Sequence, residues 1–126
     1  MANTNRQREN FTADVKIRDK FLRDLLSPTI NSQPSSYTLV LTDASKYIRM
    51  GSGSAQTLTV PNNTSVPFET NTEIAVEQSG AGTLTIVADT GVTILCAATL
   101  VLNGQYATAA LKKLDTNTWI LAGRLA

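Results

Sequence analysis

From Tyr37 onward apolar and polar residues alternate in short phrases, and before Tyr37 the apolar residues are sparser and recur at a looser, helix-like spacing. Alternation with a period of two places successive side chains on opposite faces of a strand. Strands are predicted near Tyr37 to Leu41, Lys46 to Met50, Gln56 to Val60, Glu73 to Gln78, Thr83 to Ala88, Val92 to Leu95, Thr99 to Leu102, Ala107 to Leu114 and Thr118 to Ala122. They are punctuated by Gly51-Ser52-Gly53-Ser54, Pro61-Asn62-Asn63, Ser79-Gly80-Ala81-Gly82, Asp89-Thr90-Gly91, Asn103-Gly104 and Asp115-Thr116-Asn117, the residue types that turns favour. Closely spaced strands with regular turn signals predict an all-β fold, an antiparallel sandwich or barrel-like module.

The same alternation assigns faces. Leu58, Val60, Ile74, Val76, Leu84, Ile86, Val92, Ile94, Leu100 and Leu102 are expected inside, and Thr57, Thr59, Thr83 and Thr85 outside. Threonine is β-branched and suits a strand, while its hydroxyl keeps an outer face wet without charge. Such a face suits polar packing between subunits, so Thr57, Thr59, Thr83 and Thr85, with Trp119, are candidate interface residues. Packing inside the chain's own core is the competing role for Trp119, which lies in the apolar phrase Thr118-Trp119-Ile120-Leu121.

Residues 1–36 have a different character, and residues 37–126 form the expected β domain. Ten of the 21 charged side chains lie between Arg6 and Asp24. Residues 1–10 are polar and read as an arm ordered by a partner. From Phe11 to Leu26 the residues Phe11, Val15, Leu22, Leu25 and Leu26 recur near helical spacing, with Asp14–Arg18 and Asp19–Arg23 as favourable pairs four apart. Val15-Lys16-Ile17 alternates like a strand, which would move the helix start toward Arg18. Ser27-Pro28 ends the helix, and Ser32-Gln33-Pro34-Ser35-Ser36 reads as a linker. A lone helix of about 15 residues is marginal in water and needs a surface, either a partner or its own β domain.

Composition narrows the function. Hydrophobic residues make up 42% and charged residues 17%, and the net charge of +1 supplies no strong field toward nucleic acid or a membrane. The polar opening Met1-Ala2-Asn3-Thr4-Asn5-Arg6 lacks a signal-peptide pattern, and no apolar run reaches transmembrane length, so cytoplasmic synthesis is expected. Cys96, the single cysteine, lies in an apolar run and reads as a small buried hydrophobe.

Histidine is absent, which excludes Ser-His-Asp triads, Cys-His pairs and histidine metal sites. Glu69, Glu73 and Glu77 are close in sequence, but Glu73 and Glu77 are expected on the solvent side of a strand. The glycine-containing turns are too short for phosphate loops and read as hairpin turns. Adjacent Lys112 and Lys113 should split across two strand faces on a solvated edge. No catalytic residue, metal or cofactor is expected, and the chain reads as a non-enzyme.

The stretch Tyr37 to Met50, the phrase Leu58-Thr59-Val60-Pro61-Asn62-Asn63, and the closing Gln105-Tyr106-Ala107 through Leu111-Lys112 to Trp119-Ile120-Leu121 resemble a β domain of tailed-bacteriophage virion proteins. Such domains occur in fibres and in capsid decoration, or cement, proteins. A short chain with an arm ahead of the module looks more like a cement protein. The resemblance implies a homotrimer on the outer capsid surface of the virion, with the major capsid protein and sister decoration subunits as partners. The expected contacts of the arm are Arg6, Arg8, Arg18 and Arg23 with acidic patches, and Phe11, Phe21, Leu22 and Leu25 as apolar anchors. The alternative is a short tail fibre or baseplate component whose exposed loop aromatics bind a host-surface receptor or glycan.

Overall fold

The computed structural model describes residues 15–19 and 28–126. Residues 15–19 are helical. The body contains nine strands: β1 (Ile30–Gln33), β2 (Tyr37–Thr38), β3 (Tyr47–Met50), β4 (Gln56–Val60), β5 (Glu73–Gln78), β6 (Leu84–Ala88), β7 (Thr93–Cys96), β8 (Thr108–Asp115) and β9 (Thr118–Gly123). A short 3-10 turn, Leu41–Asp43, follows β2.

The mostly-β expectation holds, but the antiparallel sandwich or barrel does not describe the architecture. One sheet runs β1-β3-β5-β8-β9-β7 and the other β2-β4-β6. β1, β3 and β5 are parallel, as are β2, β4 and β6. The chain therefore winds alternately through the two sheets in stacked coils, a solenoid-like arrangement. Among the nine described strands only β5–β8 and β8–β9 pair with each other antiparallel, and β7 returns to pair parallel with β9. Alternation within a strand is blind to the direction of its neighbour, which is why the pattern located strands without giving their pairing.

Register exposes an internal repeat. Tyr47 pairs with Ala75 in one sheet and Gln56 with Leu84 in the other, both offsets being 28 residues. The corner between β3 and β4 is thereby stacked on the corner between β5 and β6: Ser79 N–H donates to Met50 O at 2.9 Å and Gly82 N–H to Ser52 O at 3.0 Å. A Cβ at Gly80 or Gly82 would overlap the backbone of Ser52 or Ser54, so glycine is required by close backbone approach. These corners join strands of different sheets and are not hairpin turns. The true tight hairpin is at Asp115-Thr116-Asn117, between β8 and β9.

Two further expectations change. Ile30–Gln33, whose last two residues open the stretch read as linker, form β1 in register with Tyr47–Met50. Pairing with a neighbouring strand overrode a polar composition that favours loops. The predicted strand at Thr99 to Leu102 is reduced to isolated bridges, Thr85–Val101 and Leu102–Leu125.

One apolar cluster joins the inner faces of both sheets. Leu58, Val60, Ile74, Val76, Leu84, Ile86 and Leu102 are buried as alternation predicts, while Val92, Ile94 and Leu100 are partly buried against the cluster. Trp119 is 1% exposed and meets Phe68 edge-on with ring centres 5.6 Å apart. It is thus part of the chain's own core, removed from the proposed subunit interface, because its strand partner Lys113 also faces inward. Cys96 is only partly buried, at the sheet edge, with its thiol 3.3 Å from Thr99 O.

Candidate assembly surfaces

The broad sheet turns its outer face away from the core, and strand register arranges that face in rows. One row runs Ile30–Tyr47–Ala75–Ala110–Ala122 across five strands. It is apolar, and three of its members are the smallest side chain that a strand face normally carries, so the face is flat along this line. Ile30 at its edge is 60% exposed. A neighbouring row reads Ser32–Arg49–Glu77–Thr108, and the row on the other side reads Glu73–Lys112–Ile120–Leu95.

Charges on these flanking rows are paired. Arg49 Nε lies 2.6 Å from Glu77 Oε2, and the Tyr47 hydroxyl donates to Glu77 Oε1 at 2.8 Å. Burial would raise the Glu77 pKa, but the hydrogen bonds from Arg49 and Tyr47 and the Arg49 charge outweigh it and hold the carboxyl below its ordinary value. The Tyr47 hydroxyl is pushed up by burial and by its bond to Glu77. Lys112 Nζ sits 3.1 Å from Glu73 Oε1 on the opposite flank. Glu73 and Glu77 thus mark the outer face as expected, and their bonds are to neighbouring strands.

A depression of about 210 Å³ lies where this face meets the arm, lined by Pro28, Ser45, Lys46, Glu73, Ile74, Ala75 and Ala110. Pro28, at the start of the described body, therefore lies beside the apolar row. Within that helix Val15 is 38% exposed and Ile17 67%. Arg18 is also exposed there. Arg6, Arg8, Phe11, Phe21, Leu22, Arg23 and Leu25 lie outside the described residues, as does most of the helix expected over residues 11–26. The Val15-Lys16-Ile17 alternation is carried by helix, not strand.

On the smaller sheet the expected threonine face is assembled. Thr57 lies beside Thr85, and Thr59 lies between Thr38 and Val87. Thr57, Thr59 and Thr85 are half-buried and Thr83, just ahead of β6, is exposed.

Two buried polar sites were not foreseen. In the first coil Asp43 is fully buried and accepts from Asn31 Nδ2 at 2.8 Å, the Tyr37 hydroxyl at 2.7 Å and Val40 N–H at 2.9 Å. Gln33 Nε2 extends the network to Asn31 Oδ1 at 2.9 Å. At the junction of residues 61–72 with β8, Lys113 is 2% exposed and donates to Asn63 Oδ1 and Phe68 O. The expected face-splitting of Lys112 and Lys113 occurs, but β8 lies inside the sheet and Lys113 enters the core instead of a solvated edge.

Loop aromatics also bear on function. Tyr106 is 66% exposed with φ 68°, a conformation uncommon for a bulky residue, and its loop forms a shallow depression with Asn103, Gln105 and Arg124. Among the described residues no group of three or more His, Cys, Asp or Glu is placed to hold a metal ion, and no helix is long and apolar enough to cross a membrane. No family model, curated protein or solved structure matches the chain.

Proposed function

We propose that the chain is a structural virion protein, a capsid decoration (cement) protein whose body oligomerises as a trimer while its N-terminal arm grips the outer shell. The observation that carries this reading is a pair of apolar surfaces exposed among the described residues. Val15 and Ile17 stand exposed on a helix, and the broad sheet carries an outer row of Ile30, Tyr47, Ala75, Ala110 and Ala122. Apolar surface of this kind gains roughly 25 cal/mol for each Å² removed from water, so both surfaces favour a partner. Ion pairs on the flanking rows would give that partner a polar rim.

Three arms on one body would raise the effective concentration of each, so individually weak contacts sum to firm attachment. The threonine face of the smaller sheet, Thr57, Thr59 and Thr85, supplies a second, uncharged surface for sister subunits. The role is mechanical and involves no reaction.

The test is removal of residues 1–27, which spares β1. The truncated chain is expected to keep its β circular dichroism and its trimeric mass in analytical ultracentrifugation, and to lose binding to expanded capsids. Undiminished capsid binding by a folded truncated chain would overturn the arm's role.

The fibre or baseplate reading keeps one specific support. Tyr106, held outward beside Asn103, Gln105 and Arg124, is a stacking surface with hydrogen-bonding neighbours, the chemistry of a glycan contact. Density for the protein on the tail and not on the head would select this reading over cement.

A further inference from the structure

We propose that Lys113 and Asn63 are joined by an intramolecular isopeptide bond, a covalent tie between the 61–72 segment and the closing hairpin. The geometry brings the two reacting groups together in a buried place, with the Trp119 ring centre 6.0 Å from Lys113 Nζ. Lys113 Nζ is 2.6 Å from Asn63 Oδ1, and the electrophilic Cγ is one bond beyond that oxygen. Its other acceptor is the Phe68 carbonyl at 2.7 Å. No carboxylate among the described residues lies within ion-pair distance of it.

The surroundings favour a neutral product. Lys113 is 2% exposed, and Phe68 and Trp119, its cross-strand neighbour, are both in the core. An ammonium buried without an ion pair is costly, whereas a hydrogen-bonded amide is accommodated readily. Burial depresses the Lys113 pKa, which increases the fraction of amine carrying a free electron pair; the charge of Glu69 acts in the opposite sense.

Both reactants are also held in place. Asn63 N–H donates to Asn117 Oδ1 at 2.8 Å, fixing that backbone to the hairpin turn. On the other side Lys113 N–H donates to Thr72 O at 2.9 Å and Asn71 N–H donates to Lys113 O at 2.8 Å. Positioning two groups in this way replaces an encounter between them with a unimolecular step.

The reaction balances without an outside reagent. The neutral amine adds through its lone pair to Asn63 Cγ, forming the Nζ–Cγ bond. The tetrahedral carbon then collapses with cleavage of Cγ–Nδ2, the Nζ proton passes to Nδ2, and ammonia departs. No atom is oxidised or reduced.

The experiment is intact-mass measurement of the full chain with peptide mapping. A mass one ammonia below the sequence value, with the Asn63 and Lys113 peptides recovered as one branched species, is expected. A succinimide at Asn63 loses the same ammonia, so two controls separate the outcomes. Hydroxylamine opens a succinimide and leaves the isopeptide untouched. Lys113→Met, whose unbranched apolar chain fits the same space, restores the full mass only if Lys113 is the nucleophile; an ammonia loss that persists in it overturns the proposal. The wild-type mapping stands even if that variant does not fold, and an unmodified wild-type mass overturns the proposal outright.

Discussion

The first coil and the loop–hairpin junction each bury a charged residue type, and they accommodate it in opposite ways. Asp43 is saturated by three donors, the side chains of Asn31 and Tyr37 and the backbone N–H of Val40, and Gln33 supports Asn31 in turn. Lys113 sits among aromatic rings with one amide and one carbonyl oxygen. β1 and β2 are edge strands among the described residues, and in this edge coil hydrogen bonds do what apolar stacking does deeper in the stack. At the junction, the 61–72 segment closes over the β8–β9 hairpin beside Phe68 and Trp119, and the amine is enclosed as a consequence. Burial alone therefore does not specify a role: the number and type of partners do.

The comparison can be broken most severely on the aromatic side. Phe68→Ala removes the edge-on partner of Trp119 and should cost about 4 kcal/mol, read as a lower urea midpoint. A loss below about 1 kcal/mol would mean that the junction is not packed as described.

On the polar side, Asp43→Ala leaves Asn31, Tyr37 and Val40 N–H without their acceptor and should cost about 3 kcal/mol. Hydrogen exchange should then accelerate in β1 and β2 before β5. Uniform acceleration through all coils would contradict a capping role for the network.

A third, smaller effect separates both interior sites from the outer face. Glu77 has its folded-state pKa depressed, so its contribution is present above the ordinary carboxylate range and is lost as pH falls through the folded value. Glu77→Gln should therefore lower stability at neutral pH and converge with the wild type in acid. Parallel pH profiles for the two proteins would rule out this linkage. Smallest of all, Thr57→Ala and Thr85→Ala should change monomer stability by less than about 0.5 kcal/mol, measured at concentrations too low for assembly. A drop in trimer association in the same variants would place sister subunits on the threonine face, and unchanged association would remove them from it.

The strands that were legible from sequence were those with strict alternation. Gln56–Val60 and Glu73–Gln78 are bounded as predicted, because one buried face fixes every side chain in a strand. Ile30–Gln33 escaped since its inward positions are Asn31 and Gln33, polar residues that make sense only beside Asp43. A signal for the stacked coils was nonetheless present: Gly51-Ser52-Gly53-Ser54 and Ser79-Gly80-Ala81-Gly82 stand 28 residues apart, the offset at which β3 meets β5 and β4 meets β6. Read as separate turns, they conceal the repeat.

The candidate surfaces divide the same way. The threonine face follows from alternation, and three of its four members meet on the smaller sheet. The alanine row could not be anticipated, because Ala75, Ala110 and Ala122 come from three strands and are aligned only by register.

What the sequence by itself determined is local: strand-forming segments, their inward and outward positions, glycine-rich corners, and the absence of histidine chemistry. These depend on the covalent chain and on nearest neighbours along it. Tertiary structure alone decided the parallel stacking, the inclusion of β1, the flat apolar row and the meeting of Lys113 with Asn63, because each depends on which distant segments lie side by side, and alternation carries no information about partners.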